Sequence, residues 1–225
     1  MSPHFTAFNE YAPVKIYYRN LPHWHQDGAT CFVTFRLADS IPHAILEQWN
    51  HERIQWLKAR GITDRMERRE QETAYSKIDP KHRRNFERQN SHRLFTELDQ
   101  CHGCCLFKNA EARIILQAAM LHHDGHYYHS GDFVIMPTHM HWIIQPLENS
   151  KLWKSMQSIK RFVSTQLTKN GFHTGPLWQS ESYDHLIRDR NELARIRKYI
   201  ADNPKKAGLG ETAYTHATAA WLDEP

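Results

Sequence analysis

Apolar and polar positions alternate along this chain in two periods, one of about two residues and one of about 3.6. Residues 29–37 (Ala-Thr-Cys-Phe-Val-Thr-Phe-Arg-Leu) are rich in β-branched and aromatic side chains and predict a strand. Asp39-Ser40-Ile41-Pro42 then predicts a helix cap, with Pro42 near the first turn. Ile45, Leu46, Trp49, Ile54, Trp56 and Leu57 follow at helical spacing, and Gly61 stops the pattern. Residues 111–123 combine strong helix formers with apolar positions three and four apart, until Asp124-Gly125 breaks them. Residues 133–136 predict a strand, Pro137-Thr138 a turn or bulge, and 139–145 a second strand. Residues 150–163 predict an amphipathic helix with Leu152, Met156, Ile159 and Val163 on its apolar side. Residues 182–188 predict a third strand, and 192–202 a last helix closed by Asn203-Pro204. Residues 14–19 fit a short strand or an arm, and 210–225 a tail anchored by Trp221. This order predicts an α+β fold, a small antiparallel sheet of the ferredoxin-like kind with helices packed on one face.

The stretch 62–93 departs from that pattern. It carries Asp64, Arg65, Glu67, Arg68, Arg69 and Glu70, then Lys81, Arg83, Arg84, Glu87 and Arg88, with few apolar residues between them. Charges of both signs predict a solvated helical insertion within one domain spanning 1–225; a basic patch for phosphates is the sharper alternative.

With 40% hydrophobic and 24% charged residues, the composition is that of an ordinary globular protein. No apolar run approaches the roughly 18 residues of a membrane span. The first residues lack a basic start followed by an apolar run, so a cytoplasmic location is the expectation. A net charge of +4 permits a polyanionic partner without establishing one. Cys101-His102-Gly103-Cys104-Cys105 contains a Cys-x-x-Cys, but no second pair exists and His122 and His123 are adjacent. Buried or idle thiols therefore fit better than structural zinc.

Candidate chemistry begins at His139-Met140-His141. Side chains two apart on a strand share a face, so the imidazoles project together while Met140 turns the other way. Such a pair is half of a metal site, or two surface histidines in a chain that holds 17. On the last helix, Leu193, Ile196 and Ile200 make an apolar stripe, and Glu192, Arg195, Tyr199 and Asn203 make a second stripe beside it. Tyr199 then borders the core, with Asn203 one turn on. A boundary tyrosine and a helix cap would fit equally well. A phenol is only about 0.1% ionised at neutral pH, so a tyrosine nucleophile needs help. A divalent cation on a phosphodiester supplies it by stabilising charge in the transition state. His139, His141 and Asn203 could hold the cation, and Tyr199 could attack phosphorus.

Three separated motifs carry a family resemblance. Met136-Pro137-Thr138-His139-Met140-His141-Trp142 resembles the HUH motif, two histidines around a bulky hydrophobe, of single-tyrosine transposases. Leu177-Trp178-Gln179, then Tyr183-Asp184-His185 with Ile187-Arg188, resembles the REP-associated tyrosine transposase branch. So does Tyr199-Ile200 followed by Asn203-Pro204 and Ala207-Gly208-Leu209. The resemblance covers residues 110–209 and the strand near 30–37. It implies a nuclease core acting on single-stranded or hairpin DNA, as monomer or homodimer, near the nucleoid. It also implies a magnesium or manganese ion held by His139, His141 and Asn203, and attack by Tyr199 to leave a 5′-phosphotyrosine and a free 3′-hydroxyl. Many insertion-sequence relatives carry glutamine, one methylene longer, where Asn203 stands. Tyr183 is the rival nucleophile. Lys160, Arg161, Arg188, Arg195 and His185 are candidate DNA contacts, and Trp142 and Trp178 could stack on bases or pack in the core. The alternative function is a nucleic-acid-binding protein that kept the fold and lost catalysis.

Overall fold

The computed structural model describes residues 3–18, 22–148 and 150–224. The chain opens with β1 (Lys15–Tyr18) and β2 (Pro22–His25), paired antiparallel with Lys15 opposite His25. Arg19, the end of the predicted strand or arm, lies outside the described residues. There follow β3 (Cys31–Arg36), α1 (His43–Lys58), α2 (Arg68–Ser76), α3 (Pro80–Asp99) and α4 (Ala110–Leu121). Then come β4 (Tyr128–Ile135), β5 (His139–Pro146), α5 (Leu152–Lys169), β6 (Tyr183–Leu186), α6 (Arg190–Lys206) and β7 (Thr215–Ala217). None of these helices is long and apolar enough to cross a membrane.

The main sheet has the order β6-β3-β5-β4-β7, antiparallel throughout. Without β7, the run β3-α4-β4-β5-α5-β6 is a βαββαβ unit whose strands lie fourth, first, third, second. That is the ferredoxin-like arrangement expected from the element order. Helices α1 to α3 are inserted in its first crossover, between β3 and α4.

Strand alternation divides the interior into two layers, with α4 and α5 on one face and α6 on the other. Helices thus cover both faces of the sheet rather than the one expected from the element order. Cys31, Val33 and Phe35 of β3 share one face with Met140, Trp142 and Ile144 of β5, and they pack under Leu116 and Met120 of α4 and Met156, Ile159 and Val163 of α5. Phe32, Val134 and Ile143 point the other way, against Leu193 and Ile200 of α6 and Trp221 near the C-terminus. His139 and His141 belong to this second face. Burying Met140 and Ile144 contributes about 1.5–3 kcal/mol each, which offsets the cost of two polar rings buried behind them.

At four places the chain differs from its sequence pattern. Helix α6 does not close at Asn203-Pro204. Pro204 removes one N–H from the ladder, yet the helix continues to Lys206, with Ala207 N–H bonding Asn203 O at 3.1 Å. It ends in a Schellman motif: Gly208 takes φ +63°, Leu209 N–H bonds Pro204 O at 2.9 Å, and Gly208 N–H bonds Lys205 O at 3.1 Å. Residues 210–225 are more than a tail, because β7 pairs with β4 and the Trp221 indole donates to Ser130 O at 2.8 Å. The charged stretch 62–93 ends within α3, and that helix runs on to Asp99 beneath α6. The Asp39-Ser40 cap is not formed either; α1 starts after Pro42 without a side-chain cap.

Candidate active site

The turn between β4 and β5 is pinned from three sides. Leu37 N–H donates to Thr138 O at 2.8 Å, Phe107 N–H to Pro137 O at 3.0 Å, and Met136 N–H to His139 O at 2.8 Å. Strand β5 therefore begins in a fixed place, and its first and third side chains, His139 and His141, lie completely buried with ring centroids 4.8 Å apart.

Each ring is oriented by a hydroxyl. Thr34, opposite His141 in the β3–β5 register, places Oγ1 2.8 Å from His141 Nδ1, and Thr138 Oγ1 lies 3.2 Å from His139 Nδ1. With Nδ1–H donating to these oxygens, a tautomer assigned from the network, both Nε2 atoms keep their lone pairs. Burial holds the His139 imidazole down at about 3, with Asn203 opposing the shift, and holds His141 well below the usual range, reinforced by His139. Both rings are thus neutral and able to ligate near neutral pH.

Helix α6 brings Tyr199 and Asn203 over this pair. The Tyr199 hydroxyl lies 3.2 Å from His141 Nε2 and donates to it. Asn203 is fully buried, and its Nδ2 donates to Asp99 Oδ1 at 3.1 Å. An ionised carboxylate can only accept, so the amide nitrogen must face Asp99 and Oδ1 is turned toward His139. His139 Nε2 and Asn203 Oδ1 face each other closely enough for Asn203 to oppose the imidazole's shift, yet neither buried atom has a partner of hydrogen-bond geometry among the described residues. Burial pushes the Tyr199 phenol well above its ordinary value, and the neighbouring Asp99 adds to the shift.

An aromatic wall holds the phenol. Phe32 stacks on His141 at 5.4 Å, and Phe95 of α3 meets His141 edge-on at 5.6 Å and Tyr199 at 5.7 Å. Tyr183 shares the face but packs between Phe32 and Phe95, with burial raising its phenol and Ser91 opposing that shift. No hydrogen bond joins it to either histidine among the described residues.

The other candidates are scattered. His185 Nε2 meets Glu192 Oε1 at 3.0 Å, and Arg188 N–H donates to Glu192 Oε2 at 2.7 Å. Burial would raise the Glu192 carboxyl, but His185 and the Arg188 amide hold it down at about 2. Arg188 and Arg195 are exposed on the histidine side's rim, away from the buried atoms. Lys160 and Arg161 lie on α5, across the sheet, where they line a groove with Trp153 and Trp178; Lys160 Nζ donates to Gln179 O at 3.1 Å. Trp142 is core, its indole bonded to Ser130 Oγ at 3.0 Å. The four cysteines are free thiols, and the described residues hold no cluster of three His, Cys, Asp or Glu side chains suited to a metal. Beside the two imidazoles, the Asn203 amide is a buried polar side chain on this face.

Thr34, Thr138, Phe95 and Asp99 were not singled out by sequence. The signal for the last two was their four-residue spacing on one helix face.

No family model matches the chain. Over 96 residues it is 31% identical to an uncharacterised protein of Haemophilus influenzae, covering 32% of this chain and 52% of that protein, so it spans about half of that relative's length. A solved structure of a REP-associated tyrosine transposase bound to a REP hairpin is similar at a TM-score of 0.45 and 16% identity, over 87% of this chain and 76% of that one.

Proposed function

We propose that this protein is a metal-dependent transesterase of single-stranded DNA, transposase-like, that nicks and rejoins strands at hairpin repeats through Tyr199. One observation carries the reading. His139 Nε2 and Asn203 Oδ1 are buried without partners, on the face where Tyr199 meets His141 Nε2. Leaving a buried polar atom unsatisfied costs about 1–3 kcal/mol, and a divalent cation would satisfy these donors.

His139, His141 and Asn203 would hold magnesium or manganese, with the His141 Nε2 lone pair exchanging the Tyr199 hydroxyl for the ion. When bound, the ion supplies charge stabilisation to the non-bridging phosphate oxygens. Thr34 and Thr138 fix the imidazole tautomers, and Asp99 keeps the Asn203 oxygen turned inward. Phe32 and Phe95 hold the phenol ring at the site. The Tyr199 oxygen bonds to phosphorus as the P–O3′ bond breaks. The phenol proton passes to solvent, and the departing 3′ oxygen takes up a proton. The 5′ strand stays on the protein as a phosphotyrosine, and attack by a 3′-hydroxyl reverses the step.

The test is a labelled single-stranded oligonucleotide incubated with manganese and resolved on a denaturing gel. The native chain should form a covalent adduct, and Tyr199→Phe should form none. Adduct from the Tyr199→Phe variant would remove the nucleophile assignment. Salt-sensitive binding with neither cleavage nor adduct would favour the catalytically silent DNA-binding protein, a reading supported by the raised phenol of Tyr199. Cleavage without adduct would mean that water attacks instead.

A further inference from the structure

Helix α3 joins the site to the charged stretch. It contributes Phe95, against His141 and Tyr199, and Asp99, against Asn203. At 3.6 residues per turn, Lys81, Arg84, Arg88, His92, Phe95 and Asp99 fall within about 80° of its circumference. That strip runs about 27 Å from Lys81 to Asp99 at about 1.5 Å per residue. Lys81, Arg84, Arg88 and His92 are all exposed, whereas Leu98, near the C-terminal end, is completely buried. Along this face the first turns of the helix are therefore open to solvent, while its end is seated at the site.

The cations on the opposite side of α3 are occupied by the rest of the insertion. Arg93 pairs with Glu52 and lies over Trp49, Arg83 lies 5.9 Å from the Tyr75 ring, and Phe86 stacks on Trp56 at 4.0 Å. On the strip, no salt bridge joins Lys81, Arg84 or Arg88 to a carboxylate among the described residues. Arg88 is held instead by the Asn85 side chain at 3.0 Å. Asp79, the carboxylate at the helix start, accepts from the Lys81 and His82 amides. The strip carries no carboxylate of its own before Asp99.

We propose that this face of α3 is a phosphate rail that leads single-stranded DNA to Tyr199. Cations one helical turn apart, along one line that ends at the candidate nucleophile, complement a single phosphate backbone. Arg84 and Arg88 take phosphates outside the cleavage point, Lys81 extends the contact, and His92 and Phe95 offer rings at the entrance for a base to stack on. The inference rests on the single-stranded DNA reading above.

The experiment measures binding of fluorescent oligonucleotides across a salt series. One oligonucleotide is long enough to cover both site and helix, one is short enough for the site alone, and one is a duplex of the long sequence. The variant is Lys81→Ala/Arg84→Ala/Arg88→Ala, and the control is Lys58→Ala/Arg65→Ala/Arg69→Ala, equal in charge but off the strip. The strip variant should lose on the order of 10- to 100-fold for the long single strand, and its slope of log affinity against log salt should fall by about 2, from three contacts at about 0.7 each. Its melting temperature, its manganese binding and its adduct with the short oligonucleotide should match those of the native chain. Equal loss in the control would overturn the rail, as would an unchanged salt slope or a native preference for duplex. In each of those cases adduct on the short oligonucleotide would leave the Tyr199 reading standing. Failure of the native chain to bind any strand would overturn both.

Discussion

His139 and His141 are bases buried in their neutral form, which sets how stability responds to acid. The folded His139 imidazole titrates at about 3, below the roughly 6.5 of an unfolded chain, so the unfolded state takes up the proton first. Stability is then complete above about pH 6.5 and is lost as pH falls toward 3. A group shifted this way contributes a slope of about 1.4 kcal/mol per pH unit in that window, so at pH 5 His139 alone removes roughly 2 kcal/mol from a total of about 5–15, and His141 acts in the same direction. Urea denaturation at pH 7 and pH 5 should show this loss, and His139→Gln/His141→Gln should reduce it; equal midpoints in the native chain would sink the assignment. Asp99 acts at the same scale. Removing it frees the Asn203 amide to rotate, so Asp99→Ala should weaken manganese binding by about 10- to 100-fold, as loss of an outer-shell partner typically does. Asp99→Asn keeps an acceptor for Nδ2 and should restore most of the affinity. Manganese resonance spectra of the two variants, matched for melting temperature, decide it. Similar weakening in both would mean that the hydrogen bond does not orient Asn203.

Among the elements, those that face a core with a regular period were legible from sequence. The period-two pattern of β5 puts His139 and His141 on one face, and the 3.6 period of α6 puts Tyr199 and Asn203 on another. The ferredoxin-like class of the sheet followed from the order of elements. What was not legible depends on partners far along the chain. Pro204 reads as a helix end, but the buried Asn203 side chain and the Schellman motif carry α6 past it. Three residues of β7 carry no period and form a strand because the edge of β4 accepts them. Asp99 finds Asn203 across 104 positions, beyond any local pattern. Tyr183 shows the converse, a tyrosine in a motif that packing places away from the histidines. Tyr183→Phe keeps the ring between Phe32 and Phe95, so it should leave adduct formation intact and cost at most about 1 kcal/mol. A variant as dead as Tyr199→Phe would reverse that order.

Across the whole molecule, one arginine ties together the three parts on which the site depends. Arg197 of α6 donates from Nε to Asp132 Oδ2 of β4 at 2.8 Å, and it also pairs with Asp223 beyond β7. The Asp132 side chain is 3% exposed, and its other oxygen accepts from Ala219 N–H at 2.8 Å. Helix α6, which carries Tyr199 and Asn203, is thereby locked to the strand beside β5 and to the C-terminal segment whose Trp221 closes the second core. Asp223 and Asp132 both raise the Arg197 guanidinium further above its usual range, so it keeps its charge. Arg197→Met would leave a buried carboxylate without its cation, a change that costs about 3–5 kcal/mol. Asp223→Ala removes the exposed partner and should change melting little. Asp132→Leu/Arg197→Met, which takes away both charges and keeps apolar volume, should recover much of the loss, because the penalty lies in the stranded charge. If the double variant melts no higher than Arg197→Met, the clamp acts through the Ala219 amide and the packing of Trp221, and the C-terminal segment, more than the ion pair, seats α6 on the histidines.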